Sequence, residues 1–503
     1  MKRVVTIGAG PAGLTAAYEL VKNGISVQVL EASPERVGGL SRTERYKGFG
    51  FDIGGHRFFS KSREIEDLWT EILGSEMHER GRLSRIYYDG KFFDYPLKPM
   101  NVLRSLGIVN VVLALASFAW AKVRPIANPR SFEDWTINAF GRRLYRTFFK
   151  TYTEKVWGIR CSEISADWAA QRIKGLSMLS LLKATLLPGR RRPRDQVIKT
   201  LIDTFRYPTY GPGQMWEMVA GLVRQGGGEV LLGVEVQEIR RADRVVTEVR
   251  AMRNGCVETF AGTDFLSSMP VRELVERLIP AAPSEVLAAA QSLKYRDFLT
   301  VALIVRQEDV FPDNWIYIHD PSVRLGRIQN YKNWSPLMVP DARMTCLGLE
   351  YFCSEGDDLW TASDGDLIEL GQSELSRIGL LDPSRVTDGC VVRMKKAYPV
   401  YDARYAEHVA VIREFLKAET PNLQLIGRNG MHKYNNQDHA MMTGLLAARN
   451  ILGASFDLWR VNADAEYQEE GEVTESARAI PKPLAPVPGR RVVPIGRPDD
   501  IHQ

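Results

Sequence analysis

A glycine-rich turn close to the first residue constrains the fold of this chain most strongly. The turn has the spacing G-x-G-x-x-G and consists of Gly8, Gly10 and Gly13. A short apolar run precedes it, and apolar residues at helical spacing follow it. Strand, turn and helix in this order are typical of a dinucleotide-binding βαβ unit, in which the glycines let a pyrophosphate approach the helix N-terminus. The next predicted strand ends at Glu31, which we expect to bind ribose hydroxyls.

A second glycine turn favours FAD over NAD as the dinucleotide. Gly38 and Gly39 follow the βαβ unit, and Arg42 comes shortly after them. This continuation is typical of flavoproteins that resemble the amine oxidase and glutathione reductase group. We therefore predict that both glycine turns and Arg42 lie near the same phosphates.

A second flavin signature lies near the other end of the chain, where a predicted strand meets a glycine turn and a helix. The residues that we assign to the cofactor there are Gly427, Arg428, Asn436, Gln437 and Asp438. We expect the turn to bring backbone N–H groups to the flavin, and Asp438 to cap the helix. Val236, in a predicted strand, is the expected backbone partner of the adenine.

The length of 503 residues is more than one hydrophobic core usually serves, so we expect several packed units. The predicted fold class is α/β, with a glutathione-reductase-like Rossmann-type FAD-binding domain, an inserted helical domain and a substrate-domain β-sheet. The FAD-binding domain takes 1–90, 196–290 and 385–455, the inserted domain 91–195, and the substrate-domain sheet 291–384. Residues 463–503 are charged and then proline-rich, and we predict that they are disordered.

Charge and cysteine content argue against several classes of partner. The 66 lysines and arginines exceed the 61 acidic residues by only 5, which gives no argument for nucleic acid. The 5 cysteines contain no C-x-x-C pair, and the histidines lack the spacing of zinc ligands. We therefore predict no metal and a reducing, cytoplasmic location.

One uncharged stretch, 107–121, is too short for a confident membrane span. The favoured interpretation is a core helix of the inserted domain, and the alternative is a helix on a membrane surface. Together with the basic residues up to 124, and with a basic run at 190–194, it leaves peripheral contact with the inner membrane face open. Basic runs of this kind are more often solvated loops.

Three further segments resemble UDP-galactopyranose mutases, most closely those of the eukaryotic type. They are FDIGGHRFFS at 51–60, YTEKVWG at 152–158 and the segment 427–439, and the likeness extends over most of 1–455. The resemblance implies that reduced FAD attacks the anomeric carbon of a nucleotide sugar through N5, so that pyranose and furanose forms interconvert without net oxidation. NAD(P)H would then serve only to reduce the FAD.

The resemblance also implies the residues of the substrate site. It assigns the flavin-facing histidine to His56, the stacking tryptophan to Trp157, the diphosphate arginines to Arg172 and Arg327, the diphosphate tyrosines to Tyr398 and Tyr434, the flavin-proximal arginine to Arg428, and further substrate contacts to Tyr95 and Tyr317. Paired guanidinium groups suit this task because they bind the oxygens of a diphosphate in bidentate fashion.

Two positions depart from the family pattern, and two other functions compete with the mutase. Lys98 and Asp203 stand where family members place amides near the uridine, which is consistent with a different nucleotide, a different sugar or a lipid-phosphate carrier. One rival is an oxidoreductase similar to protoporphyrinogen oxidase, amine oxidases or carotenoid desaturases, against which Arg172 and Arg327 argue. The other is a binding protein similar to the dissociation inhibitors of prenylated GTPases, against which the intact flavin signatures argue. The oligomeric state is left open.

Overall fold

The computed structural model describes residues 2–95, 99–166 and 204–462. Several positions that the sequence singles out lie outside the described residues: Lys98, Arg172, the run 190–194, Asp203 and the tail 463–503.

Strands and helices alternate along the described chain. The strands are β1 (Arg3–Ile7), β2 (Ser26–Leu30), β3 (Thr43–Tyr46), β4 (Phe49–Asp52), β5 (Met77–Gly81), β6 (Ser84–Tyr88), β7 (Lys91–Asp94), β8 (Thr204–Pro208), β9 (Glu229–Leu231), β10 (Glu235–Ala242), β11 (Val245–Arg253), β12 (Cys256–Ala261), β13 (Asp264–Ser267), β14 (Leu278–Ile279), β15 (Tyr295–Val305), β16 (Trp315–Ile318), β17 (Arg327–Asn330), β18 (Thr345–Cys353), β19 (Val386–Pro399) and β20 (Leu423–Leu425). The helices are α1 (Pro11–Lys22), α2 (Arg63–Leu73), α3 (Pro99–Leu106), α4 (Ile108–Val123), α5 (Phe132–Phe140), α6 (Arg142–Leu144), α7 (Thr151–Trp157), α8 (Pro212–Gln225), α9 (Val271–Glu276), α10 (Ser284–Ser292), α11 (Tyr331–Trp334), α12 (Asp358–Thr361), α13 (Asp364–Arg377), α14 (Tyr405–Glu419), α15 (Gly427–Gly430) and α16 (Gln437–Ile451), with a π-helical turn at Tyr145–Lys150.

A parallel five-stranded sheet forms the centre of the cofactor-binding part, in the order β20-β13-β1-β2-β9. Strand β1 is apolar and buried because helices cover parallel sheets on both faces. Helices α1 and α16 approach each other so closely that a Cβ on Gly444 would lie 2.1 Å from the carbonyl oxygen of Ala12. The unit β1-α1-β2 therefore has the Rossmann-type form that the glycine spacing predicts.

Two further sheets complete the strand framework. A four-stranded sheet, β12-β11-β10-β14, contributes to the same hydrophobic core as the parallel sheet. A seven-stranded sheet has the order β19-β15-β18-β17-β16-β6-β7. Its strand β18 is buried along its whole length, which explains its nearly continuous apolar sequence.

Membership of the seven-stranded sheet differs from the domain division predicted from the sequence. Strand β6 pairs with β16, and β19 pairs with β15, so 84–88 and 386–399 belong to this sheet. The predicted division placed both segments in the FAD-binding domain, and it placed β7 in the helical insertion. The local sequence of these strands does not indicate the sheet to which they belong. Their sheet is determined by pairing with strands that are distant in sequence.

Helices α3 to α6 and the π-helical turn form a helical layer that packs on β6 and β7 through a cluster containing Ile86, Phe93 and Phe148. The interpretation of 107–121 as a core helix is wrong. Helix α4 buries only two of its residues, Ala114 and Ala121, and exposes its larger apolar side chains. No helix in the described ranges is both long and apolar enough to cross a membrane.

Candidate functional site

The first glycine turn has the close contacts that a dinucleotide cradle requires. A Cβ on Gly13 would lie 2.0 Å from the carbonyl oxygen of Gly8, so helix α1 can start here only with glycine at that position. The backbone N–H of Ala9 donates to Glu31 Oε2 at 2.7 Å, and that of Ser33 donates to Oε1 at 2.9 Å. Glu31 thus holds the turn against the end of β2.

The second glycine turn faces the first. Gly38 has a φ of +106° and Gly39 a φ of +54°, backbone conformations that favour glycine. A Cβ on Gly10 would lie 3.9 Å from the Cα of Gly39, and no other atom would come nearer. The two turns therefore leave a strip of backbone without side chains beside the N-terminus of α1, whose first N–H groups have no partner within the helix. A pyrophosphate fits this cradle.

Two of the residues assigned to the cofactor have other contacts. Arg42 comes directly after the second turn, and its guanidinium forms an ion pair with Glu44. Val236 is buried at the start of β10 and pairs with Ala251 on β11. Contact of Arg42 with the phosphates and of Val236 with the adenine stay predictions.

The second flavin signature lies against the first. Gly427, with a φ of +75°, begins α15, and a Cβ on it would lie 3.2 Å from the Cβ of Ala12 in α1. Helix α16 begins just beyond, and its cap differs from the expected one. The side chain of Asn436 accepts from the backbone N–H of His439, and the backbone N–H of Asn436 donates to the His439 ring. Asn436 and His439 therefore form the cap that we expected from Asp438.

A polar pocket of about 1070 Å³, partly open to solvent, adjoins this signature. Most of its wall comes from 53–59, the strands β16 and β17, the end of β19, and the segment from Arg428 to the start of α16. The predicted residues that line it are His56, Tyr317, Arg327, Tyr398, Arg428, Tyr434, Asn436, Gln437 and Asp438, and it is also lined by Arg57, Trp315, Gln329 and Trp334, which the sequence did not single out. The buried Gln437 Oε1 has no hydrogen-bond partner among the described residues and could accept from a bound group.

Arg327 enters the pocket as half of a buried ion pair. Its Nε donates to Glu350 Oε2 at 2.6 Å, and Gln329 Nε2 donates to the other oxygen of that carboxylate at 2.7 Å. Burial opposes the charge of Arg327, but Glu350 outweighs this effect and raises the pKa of Arg327 well above its ordinary value. Glu350 occupies Nε and Nη2, whereas Nη1 has no protein partner within the described residues.

Arg428 is the second cation of the pocket, and backbone carbonyls hold it. Its Nε donates to Asn435 at 2.9 Å and its Nη1 to Ala397 at 3.0 Å. The rings of Tyr398 and Tyr434 stack on each other at 5.6 Å, and the Arg428 guanidinium lies 4.9 Å from the Tyr434 ring. Because neutral groups fix Arg428, its charge is available to an anion in the pocket.

His56 is neutral in this environment. Burial, together with the charges of Arg428 and Arg327, lowers the pKa of His56 to about 4. Its Nε2 lies 2.8 Å from the carbonyl oxygen of Ile53, so this nitrogen carries the proton and donates. His56 therefore acts near neutral pH as a fixed dipole and not as a cationic acid.

Asp52 lies directly behind the pocket wall and is fully buried. It accepts from Tyr207 Oη at 2.5 Å and from Thr43 Oγ1 at 3.0 Å. Burial raises the pKa of Asp52 to about 7, although both hydrogen bonds act in the opposite direction. No sequence motif pointed to a role for Asp52, which fixes the backbone that leads to Gly54 and His56.

Two predicted substrate residues lie outside the pocket lining. Trp157 is buried in a separate cluster, where its ring centroid lies 6.2 Å from that of Tyr398 and 6.1 Å from that of Tyr434. It therefore packs behind the stacked tyrosines. Tyr95 contacts Tyr317 edge to face at 5.2 Å, on the side of the helical layer. Of the two predicted diphosphate arginines the structure places only Arg327, because Arg172 lies outside the described residues.

Comparison with protein families identifies the class. A model of the flavin containing amine oxidoreductases matches residues 11–452. The chain belongs to this family. Its cofactor is FAD, and the two facing glycine turns with Glu31 fit the adenosine diphosphate part of that molecule. The start of α16 and the polar pocket then fit the flavin end.

The relatives of this chain differ from one another in their chemistry. The chain is 25% identical to a coproporphyrinogen III oxidase of Mycobacterium leprae (strain TN) over 434 residues, which cover 81% of this chain and 90% of that protein. It is 36% identical to an L-amino-acid oxidase of Sistrurus catenatus edwardsii over 121 residues, which cover only 23% of that oxidase and 21% of this chain.

Solved structures show the same fold. A reduced UDP-galactopyranose mutase superposes with a TM-score of 0.80 at 21% identity, covering 93% of this chain and 99% of that one. A putative protoporphyrinogen oxidase from Exiguobacterium sp. 255-15 superposes with a TM-score of 0.67 at 18% identity, covering 90% and 98%. At these identities the likeness establishes the fold and leaves the reaction to the site.

Proposed function

We propose that this protein is an FAD-dependent mutase that interconverts the pyranose and furanose forms of a nucleotide sugar. The observation that carries the proposal is the polar, cationic pocket beside the second flavin signature. Arg327 and Arg428 both line it, whereas Glu350 compensates only the charge of Arg327. Such a pocket suits a substrate with a diphosphate better than an apolar one.

The two arginines and the stacked tyrosines would bind the leaving diphosphate. Nη1 of Arg327 and the guanidinium of Arg428 are the cationic groups beside these tyrosines, Arg57 is a third cation in the lining, and the hydroxyls of Tyr398 and Tyr434 add neutral donors. The Tyr398–Tyr434 stack, supported from behind by Trp157, keeps these groups in place before substrate arrives. Fixed donors of this kind stabilise negative charge that develops on a departing group.

FAD, when bound and reduced, would supply the nucleophile for the sugar, and the protein would supply orientation. His56 remains neutral and points its Nε2–H at Ile53, so it keeps the 53–56 backbone in shape next to the flavin end. Trp315, Tyr317 and Trp334 form an aromatic wall along one part of the pocket.

An oxidoreductase of the porphyrinogen oxidase type is the second candidate. It is supported by the similarity to the coproporphyrinogen III oxidase, which extends over 81% of this chain. The same aromatic wall suits a flat substrate, and the carboxylates of a porphyrinogen suit Arg428 and Arg327. We prefer the mutase because of the stacked Tyr398 and Tyr434 beside Arg428. By resemblance to UDP-galactopyranose mutases, these two tyrosines would bind the diphosphate.

The test uses the requirement for reduced flavin. The purified holoenzyme is incubated with UDP-, GDP- and dTDP-hexopyranoses, once oxidised and once reduced with dithionite, and products are separated by chromatography. We expect a furanose product from at least one of them with the reduced enzyme only, and no net consumption of reductant.

A different pattern contradicts the mutase. If no nucleotide sugar is converted and the oxidised enzyme instead consumes oxygen with coproporphyrinogen III, the second candidate replaces it. Arg428→Lys serves as an internal control, because it keeps the charge but loses the planar donor pair, and it should impair turnover while the bound-flavin absorbance remains.

A further inference from the structure

Helix α4 presents an unusual amount of apolar surface to solvent. Half of the large hydrophobic side chains that are exposed in the described residues lie on this helix: Ile108, Val109, Val112, Leu113, Leu115, Trp120 and Val123. The exposed fraction reaches 72% at Val109 and 75% at Val123. An apolar face of this extent marks an interaction site.

The exposed apolar side chains lie on one side of the helix. At 100° per residue they fall within an arc of roughly 160°, and Ala114 and Ala121, which face the protein, lie on the opposite side. Ser117 and Asn110 lie at one boundary of the arc and Lys122 at the other. Small residues of the helix therefore face the protein, and its large apolar side chains face the solvent. This is the opposite of the usual arrangement in a surface helix.

Basic residues surround this face. Residues 99–150 contain 8 lysines and arginines and only 2 acidic residues. The net positive charge of this layer is therefore larger than the +5 of the whole chain. The exposed cations nearest in sequence are Arg104, Lys122, Arg124, Arg130, Arg142, Arg143 and Arg146. Arg124 lies 4.9 Å from the ring of the exposed Trp120. Aromatic and basic side chains in this arrangement suit the boundary between acyl chains and headgroups.

We propose that α4 docks on the surface of an anionic phospholipid bilayer. Its apolar arc would enter the interface, and the surrounding cations would bind headgroup phosphates. With 16 residues the helix extends about 24 Å, less than the hydrocarbon core of about 30 Å, so it lies in the surface and does not cross. A second copy of the chain is a poorer occupant, because two equally basic surfaces would face each other.

Docking there would place the substrate pocket close to the bilayer. The buried side of α4 contributes Ala114 to the hydrophobic cluster that includes Tyr95 and Tyr317. Tyr317 is also part of the pocket wall. The membrane-facing helix and the candidate site thus belong to one packed unit.

Vesicle flotation of the full-length holoenzyme tests this proposal. Vesicles of phosphatidylcholine alone are compared with vesicles that also contain phosphatidylglycerol. We expect wild-type protein to partition onto the anionic vesicles at least about tenfold more strongly. Val109→Glu/Val112→Glu should reduce that partitioning by about tenfold or more, since it places two charges in the apolar arc. The control is Val257→Glu, a valine on β12 whose 61% exposure lies between those of Val112 and Val109, and it should bind like wild type.

Other outcomes overturn the proposal. Flavin absorbance confirms that each variant is folded, so equal vesicle binding of the double variant and wild type would remove α4 from the interface. Absence of wild-type binding to anionic vesicles would also refute it. If light scattering instead shows a wild-type dimer that the double variant loses, without any vesicle binding, the face is a contact between copies of the chain.

Discussion

The cofactor cradle and the substrate pocket are built on different principles. The cradle is made of backbone, namely two facing glycine turns beside a helix N-terminus. Its glycines leave the space that a side chain would fill. The pocket is made of side chains whose positions depend on buried partners, as Arg327 depends on Glu350. Changes to the cradle should therefore affect cofactor binding without unfolding the chain, whereas changes behind the pocket should affect stability and the site together.

Filling the cradle should have the largest effect. Gly10→Val adds a side chain whose Cβ would meet only Gly39, at 3.9 Å, so the chain should fold, but the space for the pyrophosphate is lost. We expect FAD affinity to fall by about a thousandfold, which corresponds to about 4 kcal/mol, measured by flavin retention and titration.

The control for this prediction is Gly81→Val, a position where a Cβ would meet no atom within 4 Å. It should retain FAD like wild type. If Gly10→Val also kept its flavin, the pyrophosphate would not lie between the two turns.

Removing Glu350 tests the pocket. Glu350→Ala leaves the charge of the half-buried Arg327 without its partner, and we expect the free energy of unfolding to fall by about 3–5 kcal/mol in denaturant titration. Glu355→Ala breaks an exposed pair with Lys395 and should cost less than about 1 kcal/mol. Equal losses in both variants would mean that Arg327 is solvated and that the pocket is not preorganised.

The same contrast explains what the sequence could predict. The local folds around Gly8, Gly10, Gly13, Glu31 and Gly427 could be predicted because short-range spacing alone determines a strand–turn–helix unit, whereas the contacts of these residues with FAD stay predictions. Glu350 could not be assigned to Arg327, because the strand register that pairs them joins positions distant in sequence. The only signal was a single carboxylate in the otherwise apolar run of β18. Similarly, the uncharged run 107–121 looked like core, since sequence does not reveal which side of a helix the protein covers.

Asp52 lies behind the pocket wall and accepts a hydrogen bond from Thr43. Its protonation should make the free energy of unfolding depend on pH. Its folded pKa of about 7 exceeds the ordinary 3.8, so between about pH 4 and pH 7 the unfolded chain loses this proton while the folded chain keeps it. The contribution of Asp52 to the free energy of unfolding should therefore fall as pH rises through this window, by at most about 4 kcal/mol, whereas the lowered pKa of His56 contributes in the opposite direction.

Asp52→Asn should remove this contribution, so the free energy of unfolding of wild type minus that of the variant should fall between pH 5 and pH 8, as measured by denaturant unfolding. Asp388→Asn is the control, because Lys47 holds the pKa of Asp388 below its ordinary value and outside the window. If the difference between wild type and Asp52→Asn is the same at pH 5 and pH 8, Asp52 does not titrate in this window.

The smallest predicted effect concerns a single hydroxyl of the pocket. Tyr398→Phe keeps the ring that stacks on Tyr434 and removes only the donor that we assign to the diphosphate. The loss of one hydrogen bond to a charged group corresponds to about 1–2 kcal/mol, so we expect KM for the nucleotide sugar to rise roughly tenfold while the flavin spectrum stays unchanged. Tyr210→Phe, outside the pocket lining, should leave KM unaltered. A fall in kcat at constant KM would instead mean that the hydroxyl acts only as the diphosphate departs, which is the behaviour of a group that binds the transition state and not the substrate.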